Sequence, residues 1–424
     1  MKKEASQDYI FPKDFYWGAA TASHQVEGNN HNDWSEWEKS EKRIQDLKKS
    51  GLFDKYGQDN FISGRGADHY NKYKEDFKLA KELGHNATRF SIEWSRIEPE
   101  EGKFNQKAIN HYKDVIKTLK ELDIEPFVTL WHWPIPIWLR DKGGLESSKI
   151  PKYFVRYAKK VVAVLGEDVK FWITLNEPLV NTSISYVQGI WPPQRKNPFV
   201  FLKVNLNLLK SHKLTYTAIK EINPKAQVGI AKHNTYFSTK GNGLINKGIR
   251  FLVHFLWNNL WLWCIKNYQD FIGLNHYFHN RIYYGLNKNE NKITNDMGWE
   301  IYPTSLYHCL KDLEKYNKPV YITENGLADA TDEKRTWFIY EMLKNVHKAI
   351  EEGVDVKGYL YWSLMDNFEW ADGYWPRFGL IEIDYDTLER KPRKSTYFYR
   401  DICVHNGIPS LVVEKYKKEI EKFS

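Results

Sequence analysis

Eight short runs of β-branched, aromatic and small apolar residues punctuate this chain, and a longer stretch with helical periodicity follows each. The runs are Phe15–Thr21, Ala87–Ile92, Glu125–Trp131, Val169–Leu175, Gln227–Lys232, Phe271–Asn275, Pro319–Thr323 and Gly358–Ser363. Strands that are apolar along their whole length and alternate with helices belong to a parallel sheet covered by helices, because a parallel connection needs a crossover of a dozen or more residues. From the second run onward the starts lie 38 to 58 residues apart, which leaves room for one helix and two loops each time. Eight is also the number of strands that closes a (β/α)₈ barrel. An open doubly wound sheet is the alternative, but no GxGxxG follows an early strand to support it. Helices are expected over Tyr70–Leu83, stopped by Gly84, and over Tyr153–Leu165, stopped by Gly166. Another is expected from Asp332, as N-cap, to about Glu352 before Gly353.

A prior of about one domain per 150 residues would divide 424 residues into three, but α/β barrels routinely exceed that size as one unit. No Pro/Ser-rich linker, composition shift or low-complexity tract breaks the chain. The expected architecture is α/β, a single (β/α)₈ TIM barrel over residues 1–424 with its active site at the C-terminal ends of the strands. The polar stretch Asn29–Gly66 follows the first strand and would lie over that rim, either shaping a cleft or decorating the surface.

Hydrophobic residues make up 42% and charged residues 27%, which excludes disordered and collagen-like classes. The net charge is +8, with basic and acidic residues interleaved, as in Lys72, Lys74, Glu75, Asp76 and Lys78. Such interleaving reads as solvated helix faces and argues against nucleic acid as a partner. Cys264, Cys309 and Cys403 are widely spaced and form no CxxC, so neither a disulfide framework nor a metal site is expected. Met1–Ile10 is polar, without the apolar core of a signal peptide, and no run of 18 apolar residues occurs. These features point to a cytoplasmic protein with no membrane span. Aromatic residues reach 16%, with 17 Trp, 27 Tyr and 22 Phe. They suit a large core and equally a site that stacks against sugar C–H faces, and composition does not choose between the two.

Two glutamates carry the chemistry. Glu177 closes the fourth run in Thr174-Leu175-Asn176-Glu177-Pro178, and Glu324 closes the seventh in Ile322-Thr323-Glu324-Asn325-Gly326. A closed barrel brings both strand ends to one rim despite the 147 residues between them. Paired carboxylates flanking a cleft are what glycoside hydrolysis requires: one protonated to help the leaving oxygen depart, one ionised to attack or stabilise the sugar cation. A lone glutamate after a strand is more often a helix cap or an ion-pair partner. Two on different strands, each beside Asn and a Pro or Gly turn, favour the paired reading.

TLNEP at 174–178 and ITENG at 322–326 resemble the two active-site signatures of glycoside hydrolase family 1, the β-glucosidase family, and FYWGAATASHQVEG at 15–28 resembles its N-terminal signature. The likeness continues through TRFSIEWSRI at 88–97, TLWHWPIPIWL at 129–139, DFIGLNHY at 270–277 and YWSLMDNFEWADGYWPRFGL at 361–380, in the family's order. The resemblance implies a retaining β-glycosidase acting on terminal β-D-glucosyl residues, with β-galactosyl or β-fucosyl side activity and no cofactor. Its substrate would be a small β-glycoside or a short β-linked oligosaccharide. It further implies Glu177 as acid/base and Glu324 as nucleophile, with Arg89 and Tyr277 bonding the nucleophile and Asn275 supporting that corner. Asn176 would hold the sugar 2-hydroxyl; Gln25, His132, Glu369 and Trp370 would hold the other hydroxyls, and Trp362 would form the stacking floor. Taken singly, His132, Trp362 and Trp370 read as core, Arg89 equally as a structural ion-pair partner, and Gln25 and Asn275 say little.

Three departures stand out. His276 occupies a place where many relatives have Tyr, Pro134 one where an acidic residue is frequent, and the span between Lys232 and Asp270 is shorter than usual. That span holds IRFLVHFLWNNLWLWCI at 249–265, expected to be a barrel helix docked by an unusually aromatic face. If exposed instead, it would mark an oligomer interface, an aglycone site or attraction to a hydrophobic ligand. The rival functions are a catalytically weak or dead sugar-binding relative and a membrane-associated, partner-binding or hydrophobic-ligand-binding barrel that uses 249–265.

Overall fold

The computed structural model describes residues 8–423, so most of the polar N-terminal stretch Met1–Ile10 lies outside the described residues. Eight parallel strands close into a barrel in chain order: β1 (Tyr16–Ala20), β2 (Ala87–Ser91), β3 (Glu125–Trp131), β4 (Phe171–Asn176), β5 (Gln227–His233), β6 (Ile272–Asn275), β7 (Val320–Asn325) and β8 (Val356–Trp362), with β8 pairing back onto β1. Each lies within two residues of the run that predicts it. The longer helices are α1 (His69–Glu82), α2 (Gln106–Glu121), α3 (Ile150–Leu165), α4 (Pro198–Ile222), α5 (Leu244–His254), α6 (Thr304–Leu313), α7 (Arg335–Glu351) and α8 (Lys394–His405), of which α5 packs on the small sheet Tyr236–Thr239/His279–Ile282 rather than on the barrel.

The two-residue side-chain period of a strand explains the barrel interior. Ala87, Phe127, Phe171, Phe271, Tyr321 and Leu360 fill its lower part, with the Phe127 and Phe171 rings stacked at 4.1 Å. Two residues further along β2, β3 and β7 stand Arg89, Thr129 and Thr323, so an apolar floor supports a polar layer at the C-terminal rim. Register irregularities between Ile173 and Asn176 on β4, and between Ile322 and Glu324 on β7, re-aim the last side chains of both strands.

Two expectations change, and the alternative left open for 29–66 is decided. α7 starts at Arg335 rather than behind Asp332, whose backbone is left-handed (φ 59°). Its first amides are satisfied from further upstream, where the Asp329 carboxylate accepts from the Lys334 and Arg335 N–H groups at 2.8 and 3.0 Å. The 29–66 stretch is folded rather than decorative. Its helices Asp33–Trp37 and Glu41–Lys49 brace the loop after β8, with the Arg43 guanidinium donating to the Ala371 carbonyl and Trp34 packed 4.7 Å from Trp370. The aromatic segment splits in two. A π turn (Phe255–Asn259) links α5 to a last helical turn, Leu260–Cys264, in which Trp261 and Leu262 are buried, whereas α5 itself leaves Leu244, Ile245, Phe251 and Leu252 exposed. The docked aromatic face therefore holds only for the final turn. Among the described residues, no helix is long and apolar enough to cross a membrane.

Candidate active site

Glu177 and Glu324 face one cleft at the C-terminal rim, 5% and 4% exposed. Glu177 sits in the left-handed region (φ 42°) at the turn from β4 into the helix Pro178–Ser183, a conformation that non-glycine residues hold mainly where surrounding structure enforces it. Its Oε1 accepts from Asn275 Nδ2 at 2.8 Å. Glu324 is held differently: Arg89 Nη1 donates to Oε1 at 2.5 Å and the Tyr277 hydroxyl to Oε2 at 2.8 Å. Asn176 ties the two together, because its Oδ1 accepts from Arg89 Nη2 at 2.6 Å and from Asn275 Nδ2 at 3.1 Å. Asn275 is itself oriented by the Thr323 hydroxyl, which donates to its Oδ1 at 2.7 Å.

These surroundings separate two chemically identical side chains. Burial, then the charge of Glu324, pushes the Glu177 carboxyl up to about 8, against weaker help for the anion from Asn275, Arg89 and Lys232. Burial also raises Glu324, but the Arg89 cation and the Tyr277 donor oppose it directly. Glu324 is therefore the carboxyl that ionises first, and Glu177 the one that keeps its proton.

The cleft has a volume of about 660 Å³ and is walled by Trp133, Trp257, Trp299, Trp362, Trp370 and Phe378. Among the buried polar atoms beside it that have no protein partner are Gln25 Oε1 and His132 Nδ1. The Asn176 amide donates to His132 Nε2 at 2.9 Å, so the neutral ring carries its proton on Nδ1 and offers it as a donor. Burial and the nearby Arg89 hold His132 well below its usual range, which keeps the ring neutral. Gln25 Nε2 donates to Asn367 Oδ1, the Phe368 carbonyl and Glu369 Oε2 at 2.9, 2.8 and 3.3 Å, leaving its Oε1 as an acceptor. Burial, then the charges of Asp372 and Glu324, pushes Glu369 well above the carboxylate range. Trp370 lies against His132 at 5.7 Å and Trp133 at 4.4 Å. Unpaired hydrogen-bonding groups beside aromatic faces suit a ligand with hydroxyls on its edge and C–H bonds on its faces.

The sequence profile of glycosyl hydrolase family 1 matches residues 7–243 and 262–408. The chain belongs to that family. β-Glucosidase A of Acetivibrio thermocellus is 35% identical to it across 94% of this chain and 99% of its own length. The β-glycosidase from Pyrococcus horikoshii superposes with a TM-score of 0.86 at 37% identity, covering 97% and 98% of the two chains. A β-glucosidase from Thermotoga maritima in complex with glucoimidazole gives 0.86 at 32% identity, covering 94% and 100%. Membership makes this chain a retaining glycoside hydrolase of the β-glucosidase type.

All eleven residues singled out in the sequence lie at the family 1 cleft or in the hydrogen-bond network beneath it. His276 points away from the carboxylates, its Nδ1 donating to the Asn234 carbonyl at 2.9 Å, and the Tyr277–Glu324 bond is unaffected by it. Sequence reasoning missed several neighbours. Trp133 Nε1 donates to the Asn176 carbonyl at 3.0 Å, and Asn367 fixes Gln25. Lys232 is buried near Glu177, and burial lowers its ammonium to about 7. His233 lines the cleft with a buried Nε2 that has no protein partner. Lysine inside an otherwise apolar strand was the one available signal, since buried lysine is rare unless it is paired. The span absent from the family profile, 244–261, coincides with α5 and its π turn.

Proposed function

We propose that this chain removes terminal β-D-glucosyl residues from small β-glycosides or short β-linked oligosaccharides, with Glu324 as nucleophile and Glu177 as acid/base, and with lower activity on β-galactosides and β-fucosides. The observation that carries the assignment is the asymmetry of the two buried carboxyls. Glu324 receives a guanidinium and a phenol, which stabilise its anion; Glu177 receives one amide and stands in the field of Glu324, which stabilises its protonated form. Glu324 attacks the anomeric carbon while Glu177 gives its proton to the departing glycosidic oxygen. A glycosyl ester on Glu324 and a free aglycone alcohol result. Esterification removes the Glu324 charge, so the Glu177 pKa falls, and its carboxylate takes a proton from water as that water attacks the anomeric carbon. The sugar leaves with its configuration retained, and both carboxyls return to their starting states.

Asn176, held by Arg89 and Asn275, would bond the 2-hydroxyl. Gln25, His132 and Glu369 would bind the remaining hydroxyls over Trp362 and Trp370. The relatives named β-glucosidase support the glucoside reading. The chain would act as one catalytic unit, in the cytoplasm, where its free cysteines would stay reduced. In the test, Glu324→Ala abolishes turnover of an aryl β-glucoside and added azide restores part of it, yielding the α-glucosyl azide. Rescue of Glu324→Ala to a β-azide product, or no loss of turnover, would overturn the assignment.

A further inference from the structure

Between residues 195 and 269 the sequence carries twelve Lys and Arg but a single acidic residue, Glu221. The net charge of +8 therefore arises from this one span, and the interleaving seen elsewhere does not extend to it. Lys203, Lys210, Lys247, Arg250 and Lys266 are exposed and, among the described residues, have no acidic partner at ion-pair distance. Large apolar side chains stand between them. On α5 and its π turn, Leu244, Ile245, Phe251, Leu252, Phe255 and Leu256 recur at helical spacing along one stripe, with Leu244 85% and Phe251 73% exposed. On α4, Phe199, Leu202 and Leu206 do the same, Phe199 being 81% exposed. The turn Leu260–Cys264, which follows α5 through the π turn, meets α4 where Trp261 Nε1 donates to Asn205 Oδ1 at 3.1 Å. Scattered surface leucines need no explanation, but an exposed apolar stripe running the length of α5 does.

This face reaches the cleft. Trp257 lines it, and its Nε1 donates to Nδ1 of His233, the last residue of β5, at 3.2 Å. Since Trp257 already stands at rim level, α5 lies beside the mouth, packed on the small sheet formed by Tyr236–Thr239 and His279–Ile282. The Asn246 side chain accepts from the Tyr284 N–H at 2.8 Å, which sets the exposed Tyr283, Tyr284 and Leu286 between the stripe and the cleft.

We propose that this face docks on an anionic lipid bilayer, placing the cleft mouth at the membrane surface. Resting on the glycosidase reading, the substrates reached there are β-glucosides whose long apolar aglycones sit in the bilayer. Apolar side chains flanked by lysine and arginine are what an interfacial helix needs, burying the first in the headgroup boundary and pairing the second with anionic lipid. A second copy of the chain fits less well, because a two-fold contact through this face would set one basic stripe against its own image.

The test is co-sedimentation of the full chain with mixed phosphatidylglycerol–phosphatidylcholine vesicles and with phosphatidylcholine vesicles alone. Binding is expected to the mixed vesicles and to weaken as salt rises. Phe251→Ser/Phe255→Ser should abolish it. Lys247→Gln/Arg250→Gln should weaken it about twenty-fivefold, at about fivefold per basic side chain. Both variants should hydrolyse a soluble aryl β-glucoside at the wild-type rate. Equal, negligible sedimentation of the wild type with both vesicles would overturn the proposal. So would a stable dimer that Phe251→Ser/Phe255→Ser dissociates without any vesicle binding. Vesicle binding by a chain that fails on the aryl glucoside would keep the docking face and refute the glycosidase reading.

Discussion

Glu177 and Glu324 share a rim and near-complete burial, and what distinguishes them is which neighbours donate to each. Removing Glu177 should therefore have a substrate-dependent effect. Glu177→Ala is expected to spare aryl glucosides with good leaving groups in the glycosylation step and to lose about a hundredfold or more on alkyl glucosides, measured as kcat/KM. The pH profile should be bell-shaped. Activity falls with rising pH as Glu177, raised to about 8, loses its proton, and falls with lowering pH as Glu324 gains one. Because the Glu324 charge helps hold Glu177 up, Glu324→Gln should lower the Glu177 pKa; an unchanged titration in that variant would break the coupling. Glu369 sets a second expectation. The residues lining the cleft include Glu177, Glu324, Glu369 and Asp372 but no Lys or Arg. A 6-phosphate would enter this cleft with no lining cation to pair it. A charge buried without a partner costs about 3–5 kcal/mol, and Glu324, the carboxyl that ionises first, adds its own repulsion. An aryl β-glucoside should accordingly exceed its 6-phosphate by about a hundredfold or more in kcat/KM, a discounted form of that figure.

At the level of elements, the rim depends on close approach between β7 and β8. A Cβ on Gly326 would lie 1.7 Å from the Trp362 carbonyl oxygen, so the ITENG glycine is what lets the Glu324 strand end pack against Trp362. Gly326→Ala should destabilise the fold by about 1–3 kcal/mol in denaturant titration and reduce kcat as the floor shifts. The eight strands were legible because a fully buried parallel strand leaves an unbroken apolar run, and Glu177 and Glu324 because they end such runs. The start of α7 was not. Its cap is Asp329, a loop residue that folds back onto two amides, while the better sequence candidate, Asp332, pairs with Arg335 instead. The aromatic composition of 249–265 pointed to an apolar face but not to what covers it, since composition carries no information about the partner surface.

Across the whole molecule, function is set against stability. Glu177 is raised from 4.5 to about 8, so the native state holds its proton more tightly than the unfolded chain. Stability present below the unfolded pKa is lost as pH rises from about 4.5 to about 8, on the order of a few kcal/mol. Glu177→Gln should therefore raise Tm, and more at about pH 8 than at about pH 5; an equal Tm gain at both would contradict the linkage. The same long-range character limited what the sequence alone reveals. Gln25 and Glu369 bond across 344 positions, so only the family resemblance could pair them. The basic span 195–269 was hidden because the rest of the chain is nearly neutral and the total is a modest +8. The central claim remains that Glu324, and not Glu177, bonds to the sugar. Its most direct measurement is peptide mass mapping after inactivation with a 2-deoxy-2-fluoro-β-glucosyl fluoride, which slows hydrolysis of the covalent intermediate. The expected result is one fluoroglucosyl group on Glu324 in step with loss of activity; a label on Glu177, or inactivation without any covalent adduct, would contradict the account.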